Sequence, residues 1–127
     1  MPGTPNPAPG FVQNPDKKIT IEPHKGRVTV RSDDVVIAAS SRAKLLKEDG
    51  YAPVLYMPFE DIAFANLERT TTKTHCPFKG DATYWRLGGS GDPTHDVMWA
   101  YENPYDEMAE IKDHGAFFTD RVKVEAE

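Results

Sequence analysis

Val28-Thr29-Val30-Arg31-Ser32-Asp33-Asp34-Val35-Val36-Ile37-Ala38 decides the fold class of this chain. Val28 and Val30 alternate with polar neighbours, the period-two pattern of a strand covered on one face. Arg31-Ser32-Asp33-Asp34 is turn chemistry, and Val35-Val36-Ile37-Ala38 returns as a β-branched strand. A hairpin is predicted here. Ile19 and Ile21 show the same alternation upstream. Downstream, residues 53–57 read as a strand halted by Pro58, and residues 82–87 as another, ended by Gly88-Gly89-Ser90-Gly91. Val97, Trp99 and Tyr101 share one face of a further strand, because side chains alternate along it. Residues 116–124 supply one or two closing strands. Between these elements, Ser41 as N-cap, residues 42–49 and Gly50 as a left-handed stop predict a short helix. Residues 59–62 read as a turn, and residues 104–110 start a second short helix with Pro104 in its first turn. The expected fold is mainly β (β-rich α+β). It is a compact single domain of mostly antiparallel strands, a sandwich or small open barrel with one or two short helices.

The 127 residues suffice for one domain with a real core. Residues 1–16 hold five of the eleven prolines and are expected to form a flexible arm, with Phe11 and Val12 as its apolar handles. Residues 17–127 then form the β-rich domain. A net charge of −5 argues against a nucleic-acid backbone binder, which needs a basic face. One cysteine excludes an internal disulfide framework and favours a reducing, cytoplasmic setting. Met1-Pro2-Gly3-Thr4 lacks the character of a secretory signal, and no apolar run is long enough to span a bilayer.

Chemistry concentrates in Thr70-Thr71-Thr72-Lys73-Thr74-His75-Cys76-Pro77-Phe78-Lys79-Gly80, a segment with a loop-like composition. Cys76 is the candidate nucleophile and His75 the candidate base, since a thiol needs a lowered pKa to react. Adjacent residues point opposite ways in extended chain, however, and Pro77 biases Cys76 toward a strand end. A lone cysteine is more often a small buried hydrophobe. The four histidines and the cysteine lack the paired spacing of a zinc site, so no metal is expected. Arg69, Lys73, Lys79 and Arg86 make this stretch locally basic, while Asp92, Asp96, Glu102, Asp106, Glu107, Glu110 and Asp113 make a later one acidic. The basic segment either receives an anion or pairs with the acidic one. Tyr56, Tyr84, Trp85, Trp99, Tyr101 and Tyr105 gather around the same stretches, with Trp99 expected in the core.

Four segments together resemble one family. They are Leu55-Tyr56-Met57-Pro58-Phe59-Glu60-Asp61-Ile62, Thr74-His75-Cys76-Pro77-Phe78-Lys79-Gly80-Asp81-Ala82-Thr83-Tyr84, Trp99-Ala100-Tyr101-Glu102-Asn103-Pro104 and Ala116-Phe117-Phe118-Thr119-Asp120-Arg121-Val122. In this order they are similar to the motifs of domain of unknown function family 427, also catalogued as nucleotidyltransferase-like. Met57 and Phe118 stand where phenylalanine and tyrosine are common in that family. The resemblance implies a compact, mainly β domain. The sequence itself holds no glycine-serine plus paired-aspartate arrangement of the kind that positions magnesium and phosphates.

The expected function is binding of a small anionic or nucleotide-like molecule. Thr74, Lys79 and Gly80 would orient the anion, and Tyr56, Tyr84 and Tyr101 would line the cleft. No cofactor is named by the sequence. The alternatives are a protein-interaction module, whose exposed sheet edge would allow a homodimer, and an enzyme using Cys76.

Overall fold

The computed structural model describes residues 5–88 and 95–127. The glycine-serine connection expected at residues 88–91 therefore lies largely outside the described residues. Two antiparallel, open sheets form the domain, as the alternation predicts. The larger sheet has seven strands, numbered in chain order. Their spatial order is β1 (Ile19–Pro23), β4 (Lys44–Glu48), β5 (Val54–Pro58), β9 (His114–Phe117), β8 (Asp96–Ala100), β7 (Gly80–Leu87) and β6 (Leu67–Cys76). The smaller sheet runs β10 (Lys123–Ala126), β2 (Val28–Ser32), β3 (Val35–Ser40). The predicted hairpin is β2–β3: Ser32 pairs with Val35 across Asp33-Asp34, and Asp33 takes a positive φ of 51°. Aspartate enters that region more readily than most residues.

Alternation gives the large sheet two apolar faces. On one, Met57, Leu67, Trp85, Met98 and Phe117 pack against Val28, Val30 and Ile37 of the small sheet. This layer is sealed, with Met98, Val28, Val30 and Ile37 all fully buried. On the other face, Leu46, Tyr56, Ala82, Tyr101 and Ala116 are joined by Met108 and Ile111 from a 3-10 turn at Asp106–Ile111. That turn takes the place of the second short helix expected there.

Three local expectations change. Residues 42–49 are not a helix, because Lys44–Glu48 is a strand between β1 and β5, with Leu46 paired to both Ile21 and Val54. An isolated helix of that length is marginal, so two ladders of sheet hydrogen bonds outweigh its helix-forming composition. Gly50 still takes a positive φ of 87°, in the turn after the strand. Residues 70–76 are not loop but part of β6, the outer strand of the sheet, which is mostly exposed. Thr70–Thr72 bulge out between the Arg69–Trp85 and Lys73–Thr83 pairs, and the Thr70 and Thr72 hydroxyls each donate to buried Asp96 at 2.7 Å. Val97 does not share a face with Trp99. It is the extra residue between the Arg86–Asp96 and Trp85–Met98 pairs, and one such insertion shifts the alternation. Val97 joins the sealed layer, and Trp99 and Tyr101 face the other side.

In the N-terminal segment, Gly10–Gln13 closes one α-helical turn, although its proline content argues against any helix. The Gly10 amide donates to the Pro77 carbonyl at 2.9 Å, and Phe11 meets Phe78 edge-on at 5.0 Å between centroids. The Asn6 and Ala8 amides donate to the Asp106 and Glu107 carboxylates. Val12 stays exposed.

Candidate functional site

The site is built around the turn of the β6–β7 hairpin, Pro77-Phe78-Lys79. Pro77 ends β6 at Cys76, as the sequence implies. Gly80 then takes a φ of +116°, which a side chain would strain, and a Cβ there would stand 3.3 Å from the Asn103 carbonyl. The Lys79 carbonyl accepts the Tyr105 amide at 3.0 Å. Gly80 thus shapes the turn that aims Lys79 inward.

Lys79 is buried, with 8% of its surface exposed. Its ammonium donates to Glu48 Oε1 at 2.5 Å, and Lys17 Nζ lies 3.2 Å from Glu48 Oε2. Burial alone would raise the Glu48 carboxyl, but hydrogen bonds and charge from Lys79 and Lys17 hold it below its ordinary value. Two ammoniums share one carboxylate, so the cluster carries one excess positive charge. An ammonium has three N–H donors, and Glu48 takes one of those on Lys79.

A cleft of about 380 Å³ opens beside this cluster. Leu46, Val54, Tyr56, Tyr84, Trp99 and Phe118 give it apolar and aromatic walls, and Glu48, Cys76, Lys79 and Tyr101 also line it. Each wall has an identifiable support. The Trp99 indole N–H donates to the Tyr56 hydroxyl at 3.3 Å. Tyr84 shares a 2.8 Å hydrogen bond with Thr74 and stacks at 19° on Phe118, 6.4 Å away. The Arg121 guanidinium lies over the Phe118 ring, 4.5 Å from its centroid, and donates to the Asp96 carbonyl.

Tyr101 differs from its neighbours. Its residue is 8% exposed, yet its hydroxyl makes no hydrogen bond among the described residues. No fully buried side-chain polar atom among those residues lacks a partner, so this hydroxyl reaches solvent, and the cleft is the space it lines. Burial, followed by the charges of neighbouring groups including Tyr56 and Glu48, pushes the Tyr101 phenol well above its ordinary range. Tyr56 shifts the same way, again chiefly through burial. Both stay protonated at neutral pH. Tyr101 is then a hydrogen-bond donor awaiting an acceptor.

Five expected site residues meet in this cleft: Tyr56, Cys76, Lys79, Tyr84 and Tyr101. Thr74 stands behind it, holding the Tyr84 hydroxyl. His75 lies elsewhere. Its Nδ1 is 2.7 Å from Asp81 and its Nε2 3.4 Å from the Tyr105 hydroxyl, and it does not line the cleft that Cys76 lines. Trp99, expected in the core, is half-buried and forms a cleft wall. Glu48 and Phe118 escape the sequence reading. Glu48 sat in the expected helix, and Phe118 carries no polar group to mark it. The basic and acidic segments pair in part, through Arg69–Glu102 at 2.8 Å, but Lys79 instead takes Glu48 from β4.

Among the described residues, no group of three or more His, Cys, Asp or Glu side chains is placed to hold a metal ion. No helix there is long and apolar enough to cross a membrane. No curated protein matches the chain. The sequence profile of the family described as a domain of unknown function, DUF427, matches residues 20–127, which takes in both sheets and every cleft-lining residue. The chain belongs to the DUF427 family.

Proposed function

We propose that this domain binds a small organic acid in the aromatic cleft. The observation that carries the reading is the Tyr101 hydroxyl, a donor on a largely buried ring that opens on the cleft with no acceptor among the described residues. Water takes the acceptor position there, and a ligand oxygen that displaces it keeps the hydrogen bond from a donor already fixed in place. Lys79 adds unused N–H donors and the excess charge of its cluster with Lys17 and Glu48. The aromatic walls offer edge and face contacts to a flat ring, and the volume lies within the usual range of ligand pockets. Glu48 is the one carboxylate lining the cleft among the described residues, and both its oxygens are engaged by lysines. The site therefore supports acceptance of an anion better than metal-assisted nucleotidyl transfer.

Calorimetric titration with benzoate, and with adenosine monophosphate for the nucleotide-like form, tests the reading. The expected result is saturable binding of benzoate that Tyr101→Phe weakens about tenfold, the scale of one hydrogen bond to a charged group. Lys79→Met should weaken it at least as much. Equal binding by native protein and Tyr101→Phe, or no binding of either ligand at millimolar concentration, overturns it.

A further inference from the structure

We infer that the acid bound in the cleft carries an apolar tail, seated in a second, partly open cavity at the rim where the two sheets meet. This rests on the cleft reading above and names the ligand class more closely: an amphiphile with an acidic head. The second cavity measures about 310 Å³. That is roughly ten times the share of volume one water takes in the liquid. Its reachable walls are Pro53, Leu55, Trp99, Phe118 and Val124, laid over the fully buried Val28, Val30 and Met57. Polar groups enter through Thr119 and Asp120, both exposed. A hydrocarbon chain laid along these walls covers apolar surface that otherwise faces water.

The two cavities are neighbours. Ala52, Val54, Trp99 and Phe118 line both. Trp99 and Phe118 form the partition, their rings 4.7 Å apart and tilted by 54°. Ala52 is exposed, so this shared wall reaches the surface, and a ligand can straddle it. Polar donors lie on one side of the partition and aliphatic side chains on the other. A molecule matched to both has its acid group toward Tyr101 and Lys79 and its chain toward Leu55 and Val124.

A series of 4-alkylbenzoates, from benzoate to 4-hexylbenzoate, separates head from tail on the intact protein. Each added methylene should tighten binding about fourfold until the cavity is full, the gain expected for burying one CH₂. Val124→Trp fills the apolar cavity without touching the cleft lining. It should flatten the series while leaving benzoate itself bound as in the native protein, which also shows that the variant folds. A flat series in the native protein, with benzoate still bound, overturns the tail and leaves the cleft reading standing. An undiminished slope in Val124→Trp also overturns it, by placing the chain elsewhere. Failure of benzoate and all its alkyl derivatives to bind overturns both readings together.

Discussion

The two faces of the seven-stranded sheet are built from the same strands and end in opposite conditions. Met57 and Tyr56 are consecutive, as are Phe117 and Ala116, yet one of each pair joins the layer sealed by the small sheet and the other joins the cleft face. On the sealed face, another sheet supplies matching side chains over the centre, and a groove opens at the rim. On the cleft face, cover comes from a 3-10 turn and one helical turn of the N-terminal segment, short pieces that leave part of the face open as the cleft. Polarity follows cover. The sealed cluster is aliphatic, aromatic and methionine, while the open face has three tyrosines, a cysteine and a buried lysine–glutamate pair. Stability is concentrated in the buried centre of the first face, and the polar donors of the cleft are on the second.

The largest effect that sharpens this contrast is a pair of truncations followed by urea unfolding. Met98→Ala, in the sealed layer, should cost about 2–5 kcal/mol, because a fully buried side chain leaves a cavity its neighbours cannot close. Tyr101→Phe should stay within about 0.5 kcal/mol, since no protein hydrogen bond is lost. Comparable losses for the two would break the contrast.

A smaller effect concerns the charged cluster. Glu48→Gln should cost about 2 kcal/mol near neutral pH, between the values for exposed and deeply buried pairs. The sign follows from the lowered pKa: a depressed carboxyl contributes stability above its ordinary value of 4.5 and loses it as pH falls through the lowered, folded-state value. The native protein's advantage over Glu48→Gln should therefore shrink below pH 4.5 and vanish once Glu48 is protonated. An advantage independent of pH would mean that the Lys17–Glu48–Lys79 cluster does not hold the carboxylate.

The same contrast governs how much of the molecule is legible in its sequence. The β2–β3 hairpin reads directly, because Val28 and Val30 alternate with polar neighbours and Val35-Val36-Ile37 is a β-branched run across turn-forming Asp33-Asp34. β4 does not. Lys44-Leu45-Leu46-Lys47-Glu48 has long side chains that suit either helix or strand, and its pairing with β1 and β5 is set by residues far away in sequence. β6 is hidden for another reason: as an edge strand exposed along most of its length, it shows no apolar alternation to read. Within the site, Lys79, Tyr84 and Tyr101 stand out because they sit in clustered motifs rich in donors and rings. Glu48 is lost with β4, and with it the fact that Lys79 is already paired. That Tyr101 lacks a partner while Tyr56 and Tyr84 have theirs depends on packing alone.

The most direct test is a crystal structure of the protein soaked with benzoate. The carboxylate is predicted to lie within hydrogen-bonding distance of both the Tyr101 hydroxyl and Lys79 Nζ, with the ring against Trp99. Benzoate bound away from the cleft, or a cleft left empty at saturating concentration, would contradict the account.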